Sequence, residues 1–151
     1  MRVVIQRVSE ASVSINGQVH ASIGQGYLLL VGMEESDAKE DIDWLTKKIV
    51  QLRIFSDEAG LMNQSIVDKH GNILVISQFT LFAQVKKGNR PSLIRAARHE
   101  TAIPLYESFC SELETLLGSG RIKQGVFGAD MQVSLINDGP VTIWIDSKNR
   151  E

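Results

Sequence analysis

Four consecutive aliphatic residues, Ile73-Leu74-Val75-Ile76, are what the rest of this chain has to fold around. A strand sends alternate side chains to opposite faces, so a strand that is apolar at every position needs cover on both sides. ILVI therefore predicts a central strand, and the remaining sequence has to supply a layer above it and a layer below. Ile42, Leu45, Ile49 and Leu52 recur at helical spacing behind Ser36, an expected N-cap followed by acidic residues. A second stripe, Ile103, Tyr106, Cys110, Leu113 and Leu117, predicts a helix from Thr101 to Gly118 with Pro104 accommodated in its first turn. Two helices cover only one face of so much sheet, so the other face must be closed by sheet packed on sheet.

The strands for that layer are legible at both ends. VVIQRVSEASVSI alternates and turns at Asn16-Gly17 into QVHASI, a strong hairpin signal, and YLLLVG is a short apolar strand. Near the C-terminus MQVSLI and VTIWI flank NDGPVT, where Asp138-Gly139 supplies a two-residue turn and predicts a second hairpin. The element order reads β-β-β-α-β-(β)-β-α-β-β-β. This is an α/β fold of three layers, α/β/β, with hairpins at both ends and two helices, carried by residues 1–151 as one domain.

Composition narrows the function classes. No apolar run spans a bilayer, and MRVVIQRVSE becomes charged and alternating within six residues rather than forming the apolar stretch of a signal segment, so a cytoplasmic protein without membrane association is expected. The lone Cys110 has no internal disulfide partner and reads as core filler. There is no G-x-S-x-G elbow, H-E-x-x-H pair, C-x-x-C or P-loop, and His20, His70 and His99 are scattered and read as isolated surface residues. Neither a metal nor a cofactor is expected.

Net charge is only −2, but it is unevenly distributed. From Lys69 to His99 there is no acidic residue, while Lys69, Lys86, Lys87, Arg90, Arg95 and Arg98 lie inside; removing those 6 from the 16 basic residues leaves 10 against 18 acidic, a balance of −8. A basic island on an acidic body suits either a local anionic partner such as nucleic-acid backbone or a solvated loop.

Three places in the chain defy their surroundings. Arg7 shares the odd-numbered face of the first strand with Val3 and Ile5, so it turns inward and needs a partner, snorkels to the rim, or is moved by a bulge near Ser9. Polar Ser77, Gln78 and Thr80 replace aliphatic residues at the carboxyl end of the central strand, where they either build a site or cap the strand. Pro140 removes a backbone donor where the returning strand of the second hairpin should start to pair.

These anomalies fall in a pattern. SQFTL at 77–81, GNRPS at 88–92, FGADM at 127–131 and NDGPVT at 137–142, with QRV near the start and RIFSDEAG in the middle, make the chain resemble the D-aminoacyl-tRNA deacylase family over essentially its whole length. Leu93 and Ile94 depart from the more usual aromatic pattern after RPS.

The resemblance implies hydrolysis of the ester joining a D-amino acid, or mischarged glycine, to the 3'-terminal ribose of tRNA, by a homodimer. It implies that Ser77, Gln78, Phe79 and Thr80 form the pocket floor, with amides near Phe79 and Thr80 holding the ester carbonyl. It further implies that Phe127, Ala129 and Met131 line the adenosine end. Gly139-Pro140, a cis peptide fixed by Arg7, would reach into the partner's pocket as a chirality gate. Lys86, Lys87, Arg90, Arg95 and Arg98 are the residues expected to contact tRNA phosphates. Thr80 is the obvious side-chain nucleophile, yet no base lies near it in sequence, so amide donors with water activated by the RNA 2'-hydroxyl are preferred. A non-catalytic tRNA-binding module and a threonine-dependent esterase are the alternatives.

Overall fold

The computed structural model describes residues Met1–Glu151 throughout. Eight strands and two helices follow one another as β1 (Arg2–Ile15), β2 (Gln18–Ile23), β3 (Gly26–Gly32), α1 (Lys39–Gln51), β4 (Phe55–Ser56), β5 (Met62–Gln64), β6 (Asn72–Ser77), α2 (His99–Leu117), β7 (Ile122–Gln124) and β8 (Gln132–Asp146). A 3-10 turn over Phe79–Phe82 follows β6.

The ILVI segment is covered on both faces, as its composition requires. Ile73 and Val75 lie in a large core with α1 and α2, whereas Leu74 and Ile76 lie in a smaller core on the opposite face. β6 sits between β3 and β7, parallel to both, and the helices supply the crossovers that parallel strands need.

The second β layer comes from one sheet folding over, not from a separate sheet. β1 pairs antiparallel with β3 through its first half, with β2 through its second, and with β8 along most of its length. Val3 and Ile5 belong to the large core, but Val8, Ala11 and Val13 belong to the small one. β8 makes the same transfer, since Val133 and Leu135 pack on the small core and Val141, Ile143 and Ile145 on the large one. Both strands change core where their register is irregular, between Gln6 and Glu10.

The C-terminal hairpin expected at Asp138-Gly139 is absent. Residues 132–146 form one strand running beside β1 without reversing, and Gln6 pairs with Thr142 while Val8 pairs with Asn137. Asp138, Gly139, Pro140 and Val141 therefore bulge out opposite the single residue Arg7. Pro140 costs no ladder bond there, because the excursion is itself unpaired. The Gly139-Pro140 peptide is cis. The N-terminal hairpin forms as read, with Asn16 and Gly17 both at positive φ in its turn.

Smaller expectations also shift. The N-cap of α1 is Ala38, not Ser36, and its amide donates to the Asp41 carboxylate at 2.9 Å, so an acidic side chain in the first turn does the capping. Helix α2 begins at His99 rather than Thr101 because the Glu35 carboxylate, from a distant segment, accepts from the Arg98 amide and the Thr101 hydroxyl, each at 2.7 Å. Those two bonds hold the Glu35 carboxyl below its usual range. Ile103 faces outward, and Ala102 and Phe109 take its place in the buried stripe. The stretch near Ile66 is a surface turn that buries the Ile66 side chain, and the short strand lies earlier, at β5. Cys110 is buried, and burial pushes its thiol up to about 12, consistent with core packing.

Candidate active site

Main-chain polar groups gather where β6 ends. The strand stops at Ser77, the Gln78 amide donates to the Val31 carbonyl at 2.8 Å, and the chain winds into the 3-10 turn. The expected alternation beyond Ser77 does not continue as a strand. The first amide to donate within that turn is that of Leu81, to the Gln78 carbonyl at 3.3 Å, so the amides of Phe79 and Thr80 before it have no partner within the turn. Gly32 of β3 makes the close approach possible, since a Cβ there would lie 2.9 Å from the Gln78 carbonyl oxygen and 3.2 Å from Phe82.

A cavity of about 630 Å³ opens beside this turn. Ser77, Gln78 and Phe79 form one wall, Phe127, Ala129 and Met131 another, and the start of α2 with Arg98 and His99 a third. Phe127 is set by two edge-on aromatic contacts, Tyr106 at 5.6 Å and His99 at 5.7 Å. Tyr106 is itself anchored, donating from its hydroxyl to the Val75 carbonyl of the central strand at 2.9 Å, and burial raises its pKa. Met131 packs against Gly125, where a Cβ would lie 2.5 Å from its sulfur.

The structure gathers Ser77, Gln78, Phe79, Phe127, Ala129, Met131 and Arg98 around this space. Thr80 does not line it; its hydroxyl accepts a hydrogen bond from the Gln78 side-chain amide. His99, read as an isolated surface residue, stands in the wall, as does Leu93. Nothing in the spacing of His99 announced this, because the start of α2 is brought to the site by Glu35 across 63 residues.

Arg7, Gly139 and Pro140 do not line the cavity of their own chain. Arg7 is buried, at 8% exposure, and donates to the Ile54 carbonyl, with its guanidinium 5.9 Å from the Phe55 ring centre. The Asp138 carboxylate lies 3.0 Å from its Nε but off the N–H axis, so the contact is an ion pair and Nε has no hydrogen-bond partner. Asn137, which the sequence did not single out, ties off the excursion: its amide donates to the Arg7 carbonyl at 2.9 Å and to the Val141 carbonyl at 3.0 Å. Its Asx-type side chain before Asp-Gly was the available signal.

Arg7 thus supports the excursion from beneath. Arg7→Met leaves the Ile54 carbonyl unpaired at a cost of about 1–3 kcal/mol, so melting should drop by roughly 2–12 °C. Activity should fall further, by about tenfold or more, because the excursion loses its backing. A variant that melts lower but keeps wild-type activity would show that Arg7 serves the fold alone.

The basic island is partly neutralised in space. Arg95 pairs with Glu34 at 3.1 Å and lies over Phe82, and the backbone of Arg98 is held by Glu35. Lys86, Lys87 and Arg90 ride on a loop closed by two bonds between Gln84 and Ser92, at 2.8 and 3.0 Å, and all three are exposed. No helix is long and apolar enough to cross a membrane.

Similarity to known proteins shows the family. The family model described as D-Tyr-tRNA(Tyr) deacylase matches residues 4–146. Proteins called D-aminoacyl-tRNA deacylase from Bacteroides thetaiotaomicron and Chromobacterium violaceum are 64% and 61% identical over 151 residues, covering all of both chains. A solved structure called c-Myc DNA Unwinding Element Binding Protein aligns at TM-score 0.92 and 41% identity, covering 97% of this chain and 98% of that one. Another, described as a probable eukaryotic D-amino acid tRNA deacylase, shares the fold at TM-score 0.82 and 17% identity over 95% and 97% of the two chains. With nearly its whole length matched by the model and by relatives of equal length, the chain belongs to the D-Tyr-tRNA(Tyr) deacylase family.

Proposed function

We propose that this protein hydrolyses the ester bond of D-aminoacyl-tRNA, and of glycyl-tRNA, while sparing L-aminoacyl-tRNA, and that it does so in the cytoplasm as a homodimer whose pockets are completed across the interface. The observation that carries this reading is the Asp138–Val141 excursion. It is based on Arg7 and Asn137, exposes Gly139 and Pro140, and does not line the cavity beside β6 of its own chain. An exposed, braced piece of main chain suits insertion into a second copy.

In that arrangement Ser77, Gln78 and Phe79 floor the pocket, and the free amides of Phe79 and of Thr80, the residue after it, hold the ester carbonyl and its developing oxyanion. Donors of this kind contribute about 10²–10³-fold each. Phe127, Ala129 and Met131 receive the terminal adenosine, and Lys86, Lys87, Arg90, Arg95 and Arg98 face phosphates, the first three with the least local competition. The gate works by exclusion. A D-residue turns its side chain away and glycine has none, whereas an L-residue drives its Cβ into backbone that has no room to yield.

The test is a matched pair, D-Tyr-tRNA and L-Tyr-tRNA, with ester survival measured over time. Overpacking costs about 1–3 kcal/mol and more against braced backbone, so the L-ester should outlast the D-ester by roughly 100-fold. Glycyl-tRNA should be cleaved too. Equal loss of D and L would remove the gate, and binding without loss of either would leave a tRNA-binding module.

A further inference from the structure

Arg2 occupies a junction that the reading above does not use. It lies on β1 between Gly32 of β3 and Asp146 of β8, the two residues with which it is in register. Its Nε donates to the Asp146 carboxylate at 2.8 Å and its Nη1 donates to the Leu81 carbonyl at 2.9 Å. Its guanidinium is 4.5 Å from the ring centre of fully buried Phe82 and 5.4 Å from that of Trp144. Burial by itself would raise the Asp146 carboxyl, but the bonds from Arg2 and from the Lys148 amide hold it below its usual range.

Leu81 and Phe82 close the 3-10 turn whose opening amides belong to Phe79 and Thr80. The turn is tied to β3 at its start, through the Gln78 amide and the Val31 carbonyl, and to β1 at its end, through Arg2. The bonds inside this short turn, from the Leu81 amide to the Gln78 carbonyl and from the Ala83 amide to the Thr80 carbonyl, fix its winding but not its orientation on the sheet, so these outer ties set where the two free amides point. We propose that Arg2 is a positioning residue of the deacylation reaction, clamping the Phe79–Phe82 turn to the β1–β8 sheet so that its amides stay aimed at the ester carbonyl. This rests on the role given above to those amides. The clamp needs the planar fork of arginine, because one guanidinium must reach Asp146 and Leu81 together while stacking on Phe82.

Arg2→Lys keeps the charge and the reach to Asp146 but loses the second donor direction and the stacking plane. Single-turnover hydrolysis of D-Tyr-tRNA, with enzyme varied in excess over substrate, separates the rate at saturation from the half-saturating enzyme concentration. Arg2→Lys should lower the saturating rate about tenfold, leave half-saturation within about twofold, and melt within a few degrees of the wild type. Asp146→Asn, which frees Arg2 without removing it, should shift the rate in the same direction. Arg2→Met should lose more rate than Arg2→Lys; if it does not fold, the lysine and asparagine variants decide. A saturating rate within twofold of wild type in Arg2→Lys, or a change confined to half-saturation, overturns the proposal and leaves the amide reading intact. A wild-type enzyme that spares D-Tyr-tRNA overturns both.

Discussion

Gly139→Ala should cut kcat/KM for D-Tyr-tRNA by about 100-fold or more while leaving a folded protein. Gly139 has φ +121°, where an L side chain is strained, and a Cβ there would lie 2.8 Å from Val141 Cγ2 and 3.0 Å from both the Val141 amide nitrogen and Arg7 Nη2. Strain of this kind costs about 1–3 kcal/mol, which at this chain length lowers melting by roughly 2–12 °C. The strain falls on the exposed excursion, with Val141 and Arg7 the side chains that must give, and no fully buried core residue is among the nearest neighbours of the added methyl. What moves is the piece of main chain proposed to meet the substrate.

A mixed dimer separates a gate acting across the interface from one acting within a chain. Met131→Trp should block the adenosine end of its own cavity and be inactive alone. Combined with Gly139→Ala, it should restore activity, because one site then has an intact pocket from one subunit and an intact excursion from the other. Absence of restoration in a verified mixed dimer, or normal turnover by Gly139→Ala alone, would remove the gate.

The second large effect concerns the substrate. A D-Tyr-tRNA ending in 2'-deoxyadenosine, with the amino acid on the 3'-oxygen, should be cleaved about 10²–10⁴-fold more slowly than the ribose form, the range that general acid–base assistance contributes. The reason is what surrounds the turn. Thr80 is bonded to Gln78 and does not line the cavity, so its hydroxyl is poorly placed as a nucleophile, and the two free amides are donors only. His99 and Glu100 are the side chains of the wall that could act as a base, and His99 is the one to compare first. Thr80→Ala and His99→Ala should each stay within about tenfold of wild type on the ribose substrate. Normal turnover of the deoxy substrate together with a hundredfold loss in His99→Ala would make His99 the base and end the RNA-assisted mechanism.

The layer structure was legible because it follows from local composition. ILVI requires cover on two faces, and the stripes of α1 and α2 announce what covers one of them. The motif around Ser77 was legible as a change of role at a strand end, and the observed strand stops there. NDGPVT was legible as an anomaly but misjudged as a turn: Asp-Gly favours a reversal locally, and only the register between β1 and β8 decides that the chain instead bulges and continues. Arg7 shows the same division, since its place on the apolar face was visible but its partners, the Ile54 carbonyl and Asp138, lie 47 residues away or farther.

The sequence by itself determined the period of each element, the two-sided burial of the central strand and the family to which the chain belongs, because these depend on residues adjacent in the chain or on motifs read in order. Tertiary structure decided the rest: that the second β layer is the same sheet folded over, that Glu35 brings the start of α2 to the pocket, that Arg2 bonds the end of the 3-10 turn, and that the excursion stands apart from the cavity beside β6. Each of those depends on pairing between segments far apart in the chain, where register and core packing outweigh local preference.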